Sequence, residues 1–170
     1  VAPPGSREEN ARFLRMAWLA NPIAYLTINT VVALGPTLAK SLSLSPRLAG
    51  YCCSVWMFMR TAAFVGLWQW PGWHYRFRWL LGAYLGMMAT FVLVLLSPNV
   101  ATLVSAQLGF GLCIGLIYYS SLYYSMDAGD EKGSHGGLHE AAIGLGSAAG
   151  PAIGAATLYL APQLANGAAK

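Results

Sequence analysis

Charge is what this sequence has least of. Only 9% of its 170 residues are Asp, Glu, Lys or Arg, against about 25% in an average soluble domain. Residues 16–39, 79–126 and 141–169 carry none at all. With 56% hydrophobic residues and a mean hydropathy of +0.51, a soluble core of this size could not hide its apolar side chains beneath so few charges. Soluble classes are excluded. A bilayer-spanning helix needs roughly 20 mainly apolar residues, so the first and last runs each fit one span and the middle run fits two.

Other absences narrow the function. The three cysteines, Cys52, Cys53 and Cys113, lie in apolar segments without CxxC or Cys/His metal spacing, and read as packing residues. There is no HExxH, no GxSxG, no paired acidic cluster and no nucleophile with a placed base. No enzyme and no cofactor are expected. The net charge of +4 comes from basic residues scattered at helix ends, without the patch interleaved with aromatics that nucleic acid needs. The first ten residues, VAPPGSREEN, are polar where a signal peptide would be apolar. They lack an initiating Met, which suggests a start inside a longer protein.

The charge gaps and the Pro/Gly punctuation predict an all-α polytopic bundle of five spans, over about 12–35, 47–70, 79–96, 100–126 and 138–160. Residues 1–11 read as a linker and 161–170 as a tail. Pro36, Pro71-Gly72 and Ser97-Pro98-Asn99 serve as stops, because the residue before a proline is disfavoured from helix. Lys and Arg near span ends set orientation. With the N-terminus inside, Arg7, Arg12, Arg15, Arg76, Arg78 and Lys132 fall on the cytoplasmic side, against Lys40, Arg47 and Lys170 outside. A multi-pass protein of the plasma (inner) membrane with a cytoplasmic N-terminus is expected. Trp68, Trp70, Trp73 and Tyr75 crowd one span end, as an interfacial aromatic belt would.

What the chain has in excess is glycine in its last span. Ala142, Gly146, Gly150 and Gly154 recur every fourth residue, with Pro151 among them. In water each glycine costs a helix about 1 kcal/mol and proline about 3. In lipid the same stripe lets two helix backbones approach closely, and proline is tolerable because neighbours or water re-satisfy the freed carbonyl. The stripe reads as a tight helix contact, static or sliding. Gly111 and Gly115 repeat the pattern more weakly in the fourth span.

Polar residues at membrane depth mark the candidate site. Arg60 sits near the middle of the second span, facing a cavity or snorkelling along its aliphatic stem to the interface. Asn21, Tyr25 and Asn29 share one face of the first span, as candidate substrate contacts or as interhelical hydrogen bonders. Pro22 beside them is expected to break the hydrogen-bond ladder, as discontinuous transporter helices do near binding sites. Gln107, Gly111, Gly115 and Tyr118 share a face of the fourth. Tyr118 opens the run YYSSLYYS, whose default reading is an interfacial belt. Glu140 in the first turn of the fifth span complements the helix dipole or gates against Arg76 or Arg78, and His139 beside it is expected at the interface, as a residue type able to titrate in the physiological range. The third span, nearly free of polar residues, reads as lipid-facing.

Five spans with polar first and fourth, a lipid-facing third and GLGSAAGPAIGA in the fifth resemble the C-terminal half of a major facilitator superfamily transporter, helices seven to eleven. The loop GLWQWPGWHYRFRWLL strengthens the resemblance: Gly66 or Gly72 with Arg76 and Arg78 resembles that family's glycine-and-basic loop, here without its acidic residue. The resemblance implies alternating-access transport of a small solute and an N-terminal half as partner. It also implies a sixth span beyond Lys170. Membrane lipid is the other expected partner. The rival expectation is a non-transporting membrane scaffold or assembly factor built on the same bundle.

Overall fold

The computed structural model describes residues 7–127 and 132–160. The described residues form five α-helices: α1 (Arg7–Ser41), α2 (Pro46–Gln69), α3 (Phe77–Leu95), α4 (Val100–Asp127) and α5 (Lys132–Leu160). One turn of 3-10 helix at Pro71–Trp73 joins α2 to α3, and no strand occurs among the described residues. All five helices are long and apolar enough to cross a membrane. The chain is an all-α, multi-pass membrane bundle.

Local chemistry sets the ends. Pro46 opens α2 behind Ser45, whose hydroxyl accepts the Leu48 N–H at 3.4 Å, a proline-first, serine-capped start. Trp70, held extended before Pro71, closes it. Asn99 caps α4 by accepting from the Thr102 N–H at 2.9 Å and its hydroxyl at 3.1 Å.

The expected stop at Pro36 does not occur. α1 runs on as helix through both Pro22 and Pro36, so the first span does not end at 35. A proline costs a helix one hydrogen bond and a local clash, which packed membrane helices absorb. α1 ends where the backbone turns left-handed at Ser43, φ 54°. There the Leu44 N–H reaches the Ala39 carbonyl at 3.0 Å and the Ser43 N–H reaches that of Lys40 at 3.0 Å, the two bonds of a Schellman closure. α1 also begins at Arg7, inside the stretch read as linker, and α5 begins at Lys132, six residues before the expected 138. Each glycine of that Gly/Ser-rich stretch weakens a helix without forbidding it, and extending a formed helix is cheaper than starting one.

α4 is the centre. It packs on α2 and α3 and also touches α1 and α5, while α1 and α5 form the most extensive pair. Leu103, Phe110, Ile114 and Ile117 on α4 and Met87 on α3 are fully buried. Burial is concentrated on α1 and α4, and α3 exposes most of its surface. α2 and α5 are just as exposed as α3, so exposure does not single out the third helix.

The glycine stripe meets α1. A Cβ at Gly146 would lie 2.5 Å from the Tyr25 Cβ and 2.7 Å from the Pro22 carbonyl oxygen. At Gly150 it would lie 2.5 Å from the Asn29 Cβ and 2.9 Å from the Leu26 carbonyl oxygen; at Gly154 the gap to the Ala33 Cβ is 3.1 Å. The contacts advance together along both helices, so α1 and α5 run parallel with backbones touching. The Thr30 hydroxyl donates across the seam to the Gly150 carbonyl at 3.2 Å. Gly111 and Gly115 do the same for α4 against α2, at the Trp56 carbonyl and the Ala63 Cβ. In lipid, where burial between helices brings little hydrophobic gain, such close van der Waals packing and interhelical hydrogen bonds hold the bundle.

The turn between α2 and α3 is folded inward. Trp68 and Trp70 are exposed, as a belt requires, but Trp73 is only 1% exposed. Its indole N–H donates to the Leu67 carbonyl at 3.1 Å, and its ring meets those of Tyr119, Tyr123 and Tyr124. The Tyr124 hydroxyl accepts the Tyr75 N–H at 3.1 Å, and the Tyr75 hydroxyl donates to Asp127. Tyr75 sits at φ 49°, a conformation that a bulky residue keeps only when its surroundings over-determine it. The tyrosine run is therefore a clamp on the turn as much as a belt.

Candidate functional site

Arg60 lies nine residues before the end of α2, roughly 14 Å along the helix from that end. Its side chain turns toward α1 and α4. One terminal nitrogen donates to the Tyr25 hydroxyl at 3.1 Å. The guanidinium carbon lies 4.6 Å from the centre of the Tyr118 ring, 5.4 Å from Phe64 and 5.7 Å from Tyr25. Three aromatic faces around one cation supply electrostatic attraction from their ring quadrupoles. They supply no counter-charge, and the Arg60 Nε stays buried without a hydrogen-bond partner.

A second polar group lies behind Tyr118. The Tyr118 and His139 rings meet edge to face at 5.2 Å. The His139 Nδ1 is 2.9 Å from the Ser121 hydroxyl and 3.5 Å from the Asn21 amide nitrogen. Nδ1 is the ring nitrogen that faces both side chains. His139 and Asn21 are both essentially fully buried, yet His139 Nε2 and Asn21 Oδ1 have no partner. Leaving such groups unsatisfied costs about 1–3 kcal/mol each. The cluster thus leaves three polar atoms unpartnered: Arg60 Nε, His139 Nε2 and Asn21 Oδ1.

Of the residues expected at the site, Arg60, Tyr25, Tyr118 and Asn21 come together. Asn29 does not join them: its amide donates to the Tyr25 carbonyl at 2.8 Å and the Ser147 hydroxyl at 3.3 Å, bonding α1 to α5. Gln107 accepts the Trp56 N–H at 3.5 Å, one turn from Arg60 on α2 and three turns from Tyr118 on α4. It ties helices. Gly111, Gly115, Gly146, Gly150 and Gly154 are packing contacts, and Pro151 continues α5 without ending it. Arg76, Arg78 and Glu140 are all exposed.

Sequence reasoning missed His139 as a buried member, placing it at the interface, and missed Ser121 and Phe64. The pairing of Ser121 with His139 had one legible sign, a serine pair inside an otherwise aromatic run. No family model, curated protein or solved structure matches the chain.

Proposed function

We propose that the chain is one bundle of a secondary transporter that moves a small carboxylate-bearing solute by alternating access. The observation that carries the reading is Arg60: a cation well inside the span, ringed by Tyr25, Phe64 and Tyr118, with its Nε unpartnered. A charge inside a membrane helix is kept at a cost of at least about 2.5 kcal/mol, and a solute carboxylate would supply the missing charge with two-pronged geometry. His139 and Asn21, with free polar atoms behind Tyr118, would read the rest of the solute. The glycine seams suit rocking of α5 on α1, and the resemblance to the major facilitator superfamily supports a second bundle as partner. In this reading the N-terminus is cytoplasmic, by the excess of Lys and Arg on that side, and the plasma membrane is the site of action.

The rival reading is a non-transporting scaffold whose small-residue stripes dock partner helices. A glycine stripe offered to a partner helix would face outward, whereas Gly146, Gly150 and Gly154 are occupied by α1. Water access discriminates the two. In the full-length protein, Asn21→Cys and Tyr118→Cys should react with a membrane-impermeant maleimide, and a panel of small carboxylates should slow the reaction. Inert cysteines at both positions in a folded protein would refute transport through this cluster.

A further inference from the structure

A separate cavity of about 540 Å³ opens on the other face of α2, between α2, α3 and α4. It extends from Met59 to Trp70 along α2, roughly 16 Å of helix. Its lining is apolar apart from Arg78, and no acidic residue lines it. Arg78 is exposed in the first turn of α3, level with the turn where Trp70 and Trp79 meet edge to face at 5.0 Å. A long apolar trough with one cation and two indoles at its mouth matches a phospholipid: tail, phosphate, headgroup level.

Two glycines argue independently. Gly66 on α2 and Gly82 on α3 both line the trough, and a Cβ added to either would meet nothing within 4 Å. Glycine weakens a helix relative to alanine, and neither position has the backbone contact that explains Gly111, Gly115, Gly146 or Gly150. What their missing side chains leave is space in the trough.

We propose that this groove binds one anionic glycerophospholipid, with an acyl chain along Gly66 and Gly82 and the phosphate on Arg78. Arg pairs with phosphate bidentately, and the anionic cytoplasmic leaflet would present such lipids at the depth of the α2–α3 turn.

The test is native mass spectrometry of the full-length protein released from vesicles of equal phosphatidylglycerol and phosphatidylcholine. Phosphatidylglycerol should be retained in preference. Arg78→Ala should lower that retention about fivefold, the worth of one basic residue at an anionic surface, and Arg78→Lys should keep most of it. Gly66→Leu and Gly82→Leu, both placed in open space, should fold and lose the lipid. Equal retention of the two lipids, or wild-type retention in Arg78→Ala or in either leucine variant, overturns the proposal. So does a dimer or a bound partner helix that Gly82→Leu dissociates.

Discussion

Replacing Gly150 with alanine adds one methyl group to a seam with no room for it. The new Cβ would sit 2.5 Å from the Asn29 Cβ and 3.1 Å from the Thr30 backbone nitrogen, where ordinary carbon contacts are about 3.5–4.0 Å. α1 and α5 must part by about 1 Å over this turn, or the methyl must displace main chain. Overpacking of this kind costs about 1–3 kcal/mol. Separation also stretches the Thr30 hydroxyl's bond to the Gly150 carbonyl, 3.2 Å now, worth about 0.6 kcal/mol by the average for such bonds in membranes. Helix propensity pulls the other way by about 1 kcal/mol, so the net loss should be about 0.6–2.6 kcal/mol. Gly144→Ala isolates the propensity term, because nothing lies within 4 Å of its added Cβ; it should be neutral or stabilising. Steric trapping or SDS unfolding in bicelles reads the difference. If Gly150→Ala and Gly146→Ala unfold with Gly144→Ala, the backbone-contact account of the stripe is wrong.

Tyr124→Phe should destabilise by about 1–3 kcal/mol, because the Tyr75 N–H loses its acceptor while Tyr75 still holds a strained backbone; unchanged melting would remove the clamp. The His74 ring stacks on Tyr123 at 4.2 Å, and burial lowers its pKa, against a weaker upward pull from Asp127. The unfolded chain therefore takes this proton first, so the stability His74 contributes is complete above about pH 6.5 and is lost as pH falls through the lower folded value. His74→Phe should flatten the dependence of melting on pH between about 7.5 and 5.5, and an unaltered slope would show that the ring does not titrate as argued. Gln107→Leu and Asn29→Ala should each shift stability by about 0.6 kcal/mol with solute affinity intact; a large affinity loss would return them to the site.

The bundle was legible because charge is so scarce that its gaps outline the spans. What the gaps could not show was helix length beyond the hydrocarbon. Pro36 reads as a stop on rules learned in water, and the Ser43 closure that does end α1 is a backbone event without a residue signature. Half of the site was legible too. Arg60 announces itself by depth, and Tyr25 and Tyr118 by lying on polar faces. Which face meets which is decided by how closely helices approach. The seam at Gly146 draws α5 against α1, so His139 is buried beside Asn21. The Gly111 contact aligns Gln107 with Trp56, away from Arg60. Spacing along one helix holds no information on either distance.

Uptake into proteoliposomes tests the central claim most directly. The full-length protein, reconstituted with a panel of radiolabelled small carboxylates, should accumulate at least one of them. Arg60→Ala should abolish that uptake in a protein that still folds, with Arg60→Lys retaining part, since lysine keeps the charge and loses the planar fork. Wild-type uptake in Arg60→Ala would contradict the account.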